Sequence, residues 1–96
     1  MNPKTYKFDA IIKQPDDGVG AYICLPFDIR KEFGKGRVFV HMTFDGEPYD
    51  GSAVNMGIKN PDGSICYIVI VRKDIRNKID KDIDDKIKVT LRERER

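Results

Sequence analysis

Apolar and polar residues alternate with period two along much of this chain. Tyr6, Phe8, Ala10 and Ile12 fall on one side, and Lys7, Asp9, Ile11 and Lys13 on the other. That pattern predicts a strand with one buried face, and Ile11 is its one breach. Gln14-Pro15-Asp16-Asp17-Gly18 is turn chemistry, so the chain returns as an apolar strand over Ala21 to Leu25. Pro26 suits the first position of a helix, Ile29 and Phe33 stack four residues apart on one helical face, and Gly34 suits a left-handed cap with Gly36 loosening the exit. Arg37 to Phe44 is a β-rich run ending at Asp45-Gly46, a signal for a tight type I′ hairpin. Pro48 and Gly51 place the returning strand at an edge or give it a bulge, and Ser52 to Lys59 reads as a loose segment. After the turn Asn60-Pro61-Asp62-Gly63, the unbroken apolar run within Ser64 to Val71 predicts burial on both faces. Lys73 to Ile79 reads as a second short helix and Lys86 to Arg92 as the last strand.

One unit occurs twice in this pattern. Asp28-Ile29-Arg30 returns 46 positions later as Asp74-Ile75-Arg76. Ile23, Cys24 and Leu25 correspond at the same offset to Val69, Ile70 and Val71, and Phe33 to Ile79. Beyond the helix the second copy is three residues longer, so Arg37-Val38-Phe39-Val40 corresponds to Lys86-Ile87-Lys88-Val89 at an offset of 49. Two strand–helix–strand units are too few for a solenoid and predict a closed pseudo-twofold structure.

Composition narrows this picture. Ninety-six residues make a single domain over 1–96, with the barrel in about 6–92 and a charged tail in 93–96 that frays into solvent. Isoleucine and valine together number 19 against two leucines, an excess that favours strands. Hairpin-linked strands with two short helices predict a mainly β fold, a small β-barrel closed or plugged by those helices. Charged residues reach 35%, but the net charge is only +2, which keeps nonspecific affinity for polyanions low. No stretch approaches the roughly 20 apolar residues that span a bilayer, so the expectation is a cytoplasmic protein with no membrane partner.

The run Leu25-Pro26-x-Asp28-Ile29-Arg30-Lys31-x-Phe33-Gly34, then Gly36-Arg37-Val38-x-Val40 and Asp45-Gly46-x-Pro48-Tyr49, resembles the bacterial and archaeal domain of unknown function numbered nineteen-oh-five. The resemblance runs from Phe8 to Leu91 and takes in Ser52, Gly57, Arg76 and Ile87-x-Val89. That family is similar in architecture to the swapped-hairpin regulators of the AbrB and MazE type, which dimerise through strand–helix–strand halves. The resemblance implies a double-split β-barrel capped at both ends by helices, with both halves in one chain. Asp80 and Asp84 stand where relatives tend to have glycine, a mild departure because aspartate tolerates left-handed backbone.

Few residues carry recognisable chemistry. Cys24 and Cys66 are isolated within apolar strands and read as buried hydrophobes, with a disulfide or reactive thiol as the alternative. His41 is the only histidine and has no triad or metal partner near it in sequence. Asp80, Asp82, Asp84 and Asp85 alternate as in the start of a calcium loop. That loop's sixth position is Asp85 where glycine belongs, and its twelfth is Leu91 where glutamate belongs. A solvated turn accounts for them better. No catalytic residue, metal ligand or cofactor is expected.

The positive residues are the candidate binding set: Arg30, Lys31, Lys35, Arg37, Arg72, Lys73, Arg76 and Lys86. Arg30 and Arg76, like Arg37 and Lys86, are repeat equivalents, and such a pseudo-twofold array could straddle two phosphate strands. Asp28 and Asp74 could instead neutralise their neighbours. The leading reading is a small non-enzymatic binding or interaction domain of unassigned partner. The alternatives are a nucleic-acid-binding regulator of the AbrB-like type and an enzyme or small-ligand-binding barrel. The expected assembly is a monomer built as a pseudo-dimer, or a weak homodimer.

Overall fold

The structure, a computed structural model, describes residues 3–16, 18 and 20–94. The chain is mainly β, in the order β1 (Thr5–Ile11), β2 (Tyr22–Cys24), α1 (Ile29–Phe33), β3 (Val38–Phe44), β4 (Glu47–Lys59), β5 (Ile65–Ile70), α2 (Lys73–Ile79) and β6 (Lys86–Glu93). All strand pairings are antiparallel, and the six strands lie in the order β1-β6-β3-β4-β5-β2. The sheet curls until its two ends approach. Lys13 and Tyr22 then exchange backbone hydrogen bonds of 2.8 and 2.9 Å beside β1 and β2.

Alternation directs one side chain in two to the inside of the curl. On β3, Val38, Val40, Met42 and Phe44 are buried, and on β6 Ile87, Val89 and Leu91. These join Ile12, Ile23, Leu25, Tyr67, Val69 and Val71, together with Ile29 and Ile75 from the two helices, in one main core. Each helix thus buries one apolar residue in this core, with Phe33 of α1 and Ile79 of α2 packed against it at partial burial. Tyr6, Phe8, Phe27 and Phe33 gather around α1, with Tyr6 and Phe27 ring centroids 4.6 Å apart.

Expectation and structure part company at several points. Pro26 is not the first helical residue. Asp28 caps α1, its carboxylate accepting from the backbone N–H of Arg30 at 2.8 Å and of Lys31 at 3.3 Å, so the helix starts at Ile29. Gly36 does more than loosen the exit, because the Arg30 guanidinium lies across it and a Cβ there would come within 2.6 Å of Nη2. The segment Ser52 to Lys59 is not loose; it is the second half of a 13-residue strand. Pro48 is accommodated because it follows the hairpin-closing pair Phe44–Glu47 and faces Thr43, a position whose N–H the ladder does not use. β5 joins β4 only from Val54 onward, so the Pro48 region is an edge, and the register shift between Asn55 and Lys59 supplies the bulge. Asp45 and Gly46, with φ of 49° and 89°, make the expected tight turn.

The strand within Ser64 to Val71 is buried on both faces over Cys66 to Val69. Its outer face meets Tyr22, Val54 and Ile58 in a second small apolar cluster with Cys66 and Ile68. The tail does not begin to fray at residue 93. Glu93 ends β6 with a buried side chain, and the Arg94 backbone N–H bonds to the Phe39 carbonyl at 2.9 Å. Glu95 and Arg96, like Asp17 of the first turn, lie outside the described residues. No helix among the described residues is long and apolar enough to cross a membrane.

Candidate functional site

Four of the eight candidate cations are held by carboxylates. Arg72 pairs with Asp74 at 3.1 Å, Arg76 with Asp82 at 2.8 Å, Lys35 with Glu93 at 2.6 Å and Lys86 with Asp9 at 3.3 Å. The expected Asp74 pairing thus occurs, whereas Asp28 is spent on the N-terminus of α1. Arg30, Lys31, Arg37 and Lys73 form no ion pair with another described residue. Arg76 is the most enclosed of the set, with a side chain 14% exposed and an Nε that has no hydrogen-bond partner among the described residues. Its role is to lash α2 to the following loop. The hydrogen bond from the Ile83 N–H, and then the one from Arg76, hold the Asp82 carboxyl below its usual range.

The aspartate-rich loop is internally satisfied. The Asp82 N–H donates to Asp85 at 2.8 Å, and backbone bonds of 2.8 and 3.0 Å tie Asp84 and Asp85 to Ile12. Asp80 and Asp84 adopt φ of 56° and 73°, a left-handed conformation that aspartate tolerates. Among the described residues no group of three or more His, Cys, Asp or Glu side chains could hold a metal ion. On the outer face of the sheet His41 lies 2.6 Å from Asp50, a pairing hidden in the sequence because it crosses the β3–β4 hairpin. That hydrogen bond pulls the Asp50 carboxyl below its usual range. Tyr49 is shifted the other way, its hydroxyl pKa raised by burial near Arg72 and Asp74.

Sequence reasoning missed one concavity. A groove of about 630 Å³ opens between the segment after β2 (Leu25, Pro26, Phe27 and Asp28) and the turn after β4 (Asn60, Pro61, Asp62 and Ser64). Its walls mix prolines and a phenylalanine with two carboxylates. The Asp62 carboxylate accepts from the Ser64 hydroxyl at 2.6 Å and from its N–H at 2.9 Å, and these bonds hold its pKa down. The turn signals of 60–63 were visible in the sequence, but nothing local says that they face the loop after Leu25.

Cys24 opens into this groove and is joined to Cys66, a correction to their reading as separate buried hydrophobes. Cys66 is buried and Cys24 only half so. The two Cα atoms are 5.8 Å apart because β2 and β5 are hydrogen-bonded neighbours. A spacing of 42 residues gave no hint of the pairing.

No curated protein matches the chain. The family model described as "Domain of unknown function (DUF1905)" matches residues 8–91, from the middle of β1 to the end of the core-facing run of β6. That span takes in all or most of every described strand, both helices and the whole groove, and the chain accordingly belongs to the DUF1905 family.

Proposed function

We propose that this chain is a single-domain, non-enzymatic binding module, folded as an internally duplicated double-split barrel, with the groove between Leu25–Asp28 and Asn60–Ser64 as its partner-facing feature. The groove carries the reading. Phe27, Pro26 and Pro61 offer an apolar seat, and Asp28 and Asp62 add two carboxylates to its lining. That chemistry suits an extended peptide segment with one bulky apolar side chain next to lysine or arginine. The test is an NMR titration of the labelled protein with such a peptide. Shifts concentrated at Phe27 and Asn60–Ser64, weakened by Asp62→Asn, support the assignment. Shifts spread evenly over the surface, or none at millimolar peptide, reject it.

Support for the duplication comes from the register. Ile23 faces Val69, its own repeat equivalent 46 positions on, in the β2–β5 pair. Met42 faces Leu91, at the offset of 49, in the β3–β6 pair. A twofold operation that exchanges β1 with β4, β2 with β5 and β3 with β6 carries the β1–β6 and β3–β4 ladders onto each other, keeps β2–β5 and β3–β6, and sends β4–β5 to the Lys13–Tyr22 bridge beside β1 and β2. The backbone bonds Leu25 N–H to Tyr67 O and Val71 N–H to Ala21 O, 2.8 and 3.0 Å, are exchanged by the same operation. Gly34 and Asp80, also 46 apart, cap the two helices in left-handed conformation and donate to the carbonyls of Arg30 and Arg76.

A nucleic-acid-binding regulator of the AbrB-like type is the second reading, favoured by one observation: Arg30, Lys31, Arg37 and Lys73 form no close ion pair among the described residues. Gel retardation of duplex DNA across a salt series tests it. Binding that weakens steeply with salt and on Arg30→Ala or Arg37→Ala would favour this reading, and no retardation at low salt would end it.

A further inference from the structure

The Cys24–Cys66 pair lies where a reagent can reach one sulfur and not the other. Cys24 lines the open groove, whereas Cys66 is 3% exposed and packed with Tyr22 and Ile68 under Val54 and Ile58. Beside Cys24 the turn supplies a fixed acceptor. The Asn60 side-chain amide donates from Nδ2 to the Ser64 hydroxyl at 3.0 Å and toward the Ile65 carbonyl at 3.3 Å. Those two bonds orient the amide so that Oδ1 faces Cys24 Sγ at 3.3 Å. A disulfide sulfur has no hydrogen to give this oxygen; a Cys24 thiol does. The acceptor therefore gains a hydrogen from Cys24 only in the reduced protein, with the Leu25 carbonyl, 3.7 Å from Sγ, as a longer alternative.

We propose that Cys24–Cys66 is a thiol–disulfide exchange site, with Cys24 the sulfur that receives the incoming thiolate and Asn60 the group that stabilises the dithiol form. A thiolate entering by the groove attacks Cys24 Sγ, forms a mixed disulfide there and expels Cys66 as thiolate. Cys66 then takes up the proton that the entering thiol released. A second thiolate attacks the entering group's sulfur in the mixed disulfide and leaves as its disulfide, freeing Cys24 to be protonated and to donate to Asn60. Two electrons pass from the thiol reagent to the protein pair, and a disulfide of the same class reverses the sequence. The apolar burial of Cys66 disfavours its thiolate, so the exchange is slower than in an unstructured disulfide. The proposal is independent of what the groove binds.

The experiment uses the whole folded chain. Glutathione is the monothiol probe, with acid trapping and mass mapping of the adduct, and dithiothreitol the dithiol probe for the equilibrium. The expected result is a glutathione adduct on Cys24 alone, full reduction by dithiothreitol without denaturant, and new amide shifts confined to residues around Cys24 and Asn60–Ser64. Asn60→Ala should shift the equilibrium toward the disulfide by about threefold, and Asn60→Asp, which keeps an acceptor, should shift it less. An adduct on Cys66, or a pair that reduces only in denaturant, overturns the site. An Asn60→Ala protein with native spectra and an unchanged equilibrium overturns the role given to Asn60.

Discussion

Lys35 donates a 2.6 Å hydrogen bond to Glu93, tying the loop after α1 to the last residue of β6. The two partners are unequal: the lysine side chain is 57% exposed and the glutamate side chain 3%. Burial makes the carboxylate the member that depends on the bond. Lys35→Met should therefore destabilise the fold by about 1–2 kcal/mol, because it removes a charge-assisted hydrogen bond from a buried carboxylate. Combining it with Glu93→Leu should recover part of the loss. A double-mutant cycle by urea denaturation checks both signs. The same pair removes Lys35 from any array of free cations.

His41 and Asp50 make an exposed pair with a defined pH signature. The hydrogen bond from His41 is the main cause of the depressed Asp50 pKa, with burial opposing it and His41 and Arg94 charge assisting. A carboxyl whose folded pKa lies below its ordinary 3.8 stabilises the fold above that value and loses the contribution as pH falls through the folded pKa. His41→Ala should bring the Asp50 titration back up toward 3.8, read from its carboxyl carbon shift. Acid stability of the variant should fall off less steeply than that of the parent below pH ~4.

The two helix caps give opposite predictions. Gly34 and Asp80 both stop a helix in left-handed conformation, with φ of 72° and 56°. Nothing lies within 4 Å of a Cβ placed on Gly34, so Gly34→Ala costs only conformational energy, about 1 kcal/mol. Asp80→Gly should stabilise by roughly 0.5–1 kcal/mol, because glycine adopts this conformation without the steric penalty. Thermal unfolding of the two variants should move in opposite directions.

What the sequence disclosed follows from range. The four-residue spacings of Ile29 with Phe33 and Ile75 with Ile79, the Asp45–Gly46 turn and the alternation along β3 and β6 are local signals, and each marks the element found there. The second half of β4 looked loose because Gly57 and the bulge interrupt its alternation, and pairing with β5 supplies the order that local composition does not. The groove, the Cys24–Cys66 link and the Lys35–Glu93 pair join segments 36 to 58 residues apart, and only the folded register brings them together. Lys35 and Lys86 looked free for the same reason, because Glu93 and Asp9 lie far off in sequence, whereas the Arg72–Asp74 and Arg76–Asp82 pairs are local.

Cutting the chain between Gly46 and Glu47 gives the most direct test of two interleaved halves. The first piece holds β1, β2, α1 and β3; the second holds β4, β5, α2 and β6. Of the strand ladders, β1–β6, β2–β5, β3–β4 and β3–β6 all cross between the pieces, and only β4–β5 lies within one. Among the described residues, the one strand pairing that the first piece keeps is the Lys13–Tyr22 bridge. Neither piece can satisfy its strand edges or bury its half of the core alone, so each should be unfolded by circular dichroism. Mixed at equal concentration they should regain the β spectrum of the whole chain with a concentration-dependent melting temperature, since association now carries the entropy that the Asp45–Gly46 turn removed. A first piece that folds by itself as a monomer would contradict the interleaved arrangement, because β3 would then have found neighbours other than β4 and β6.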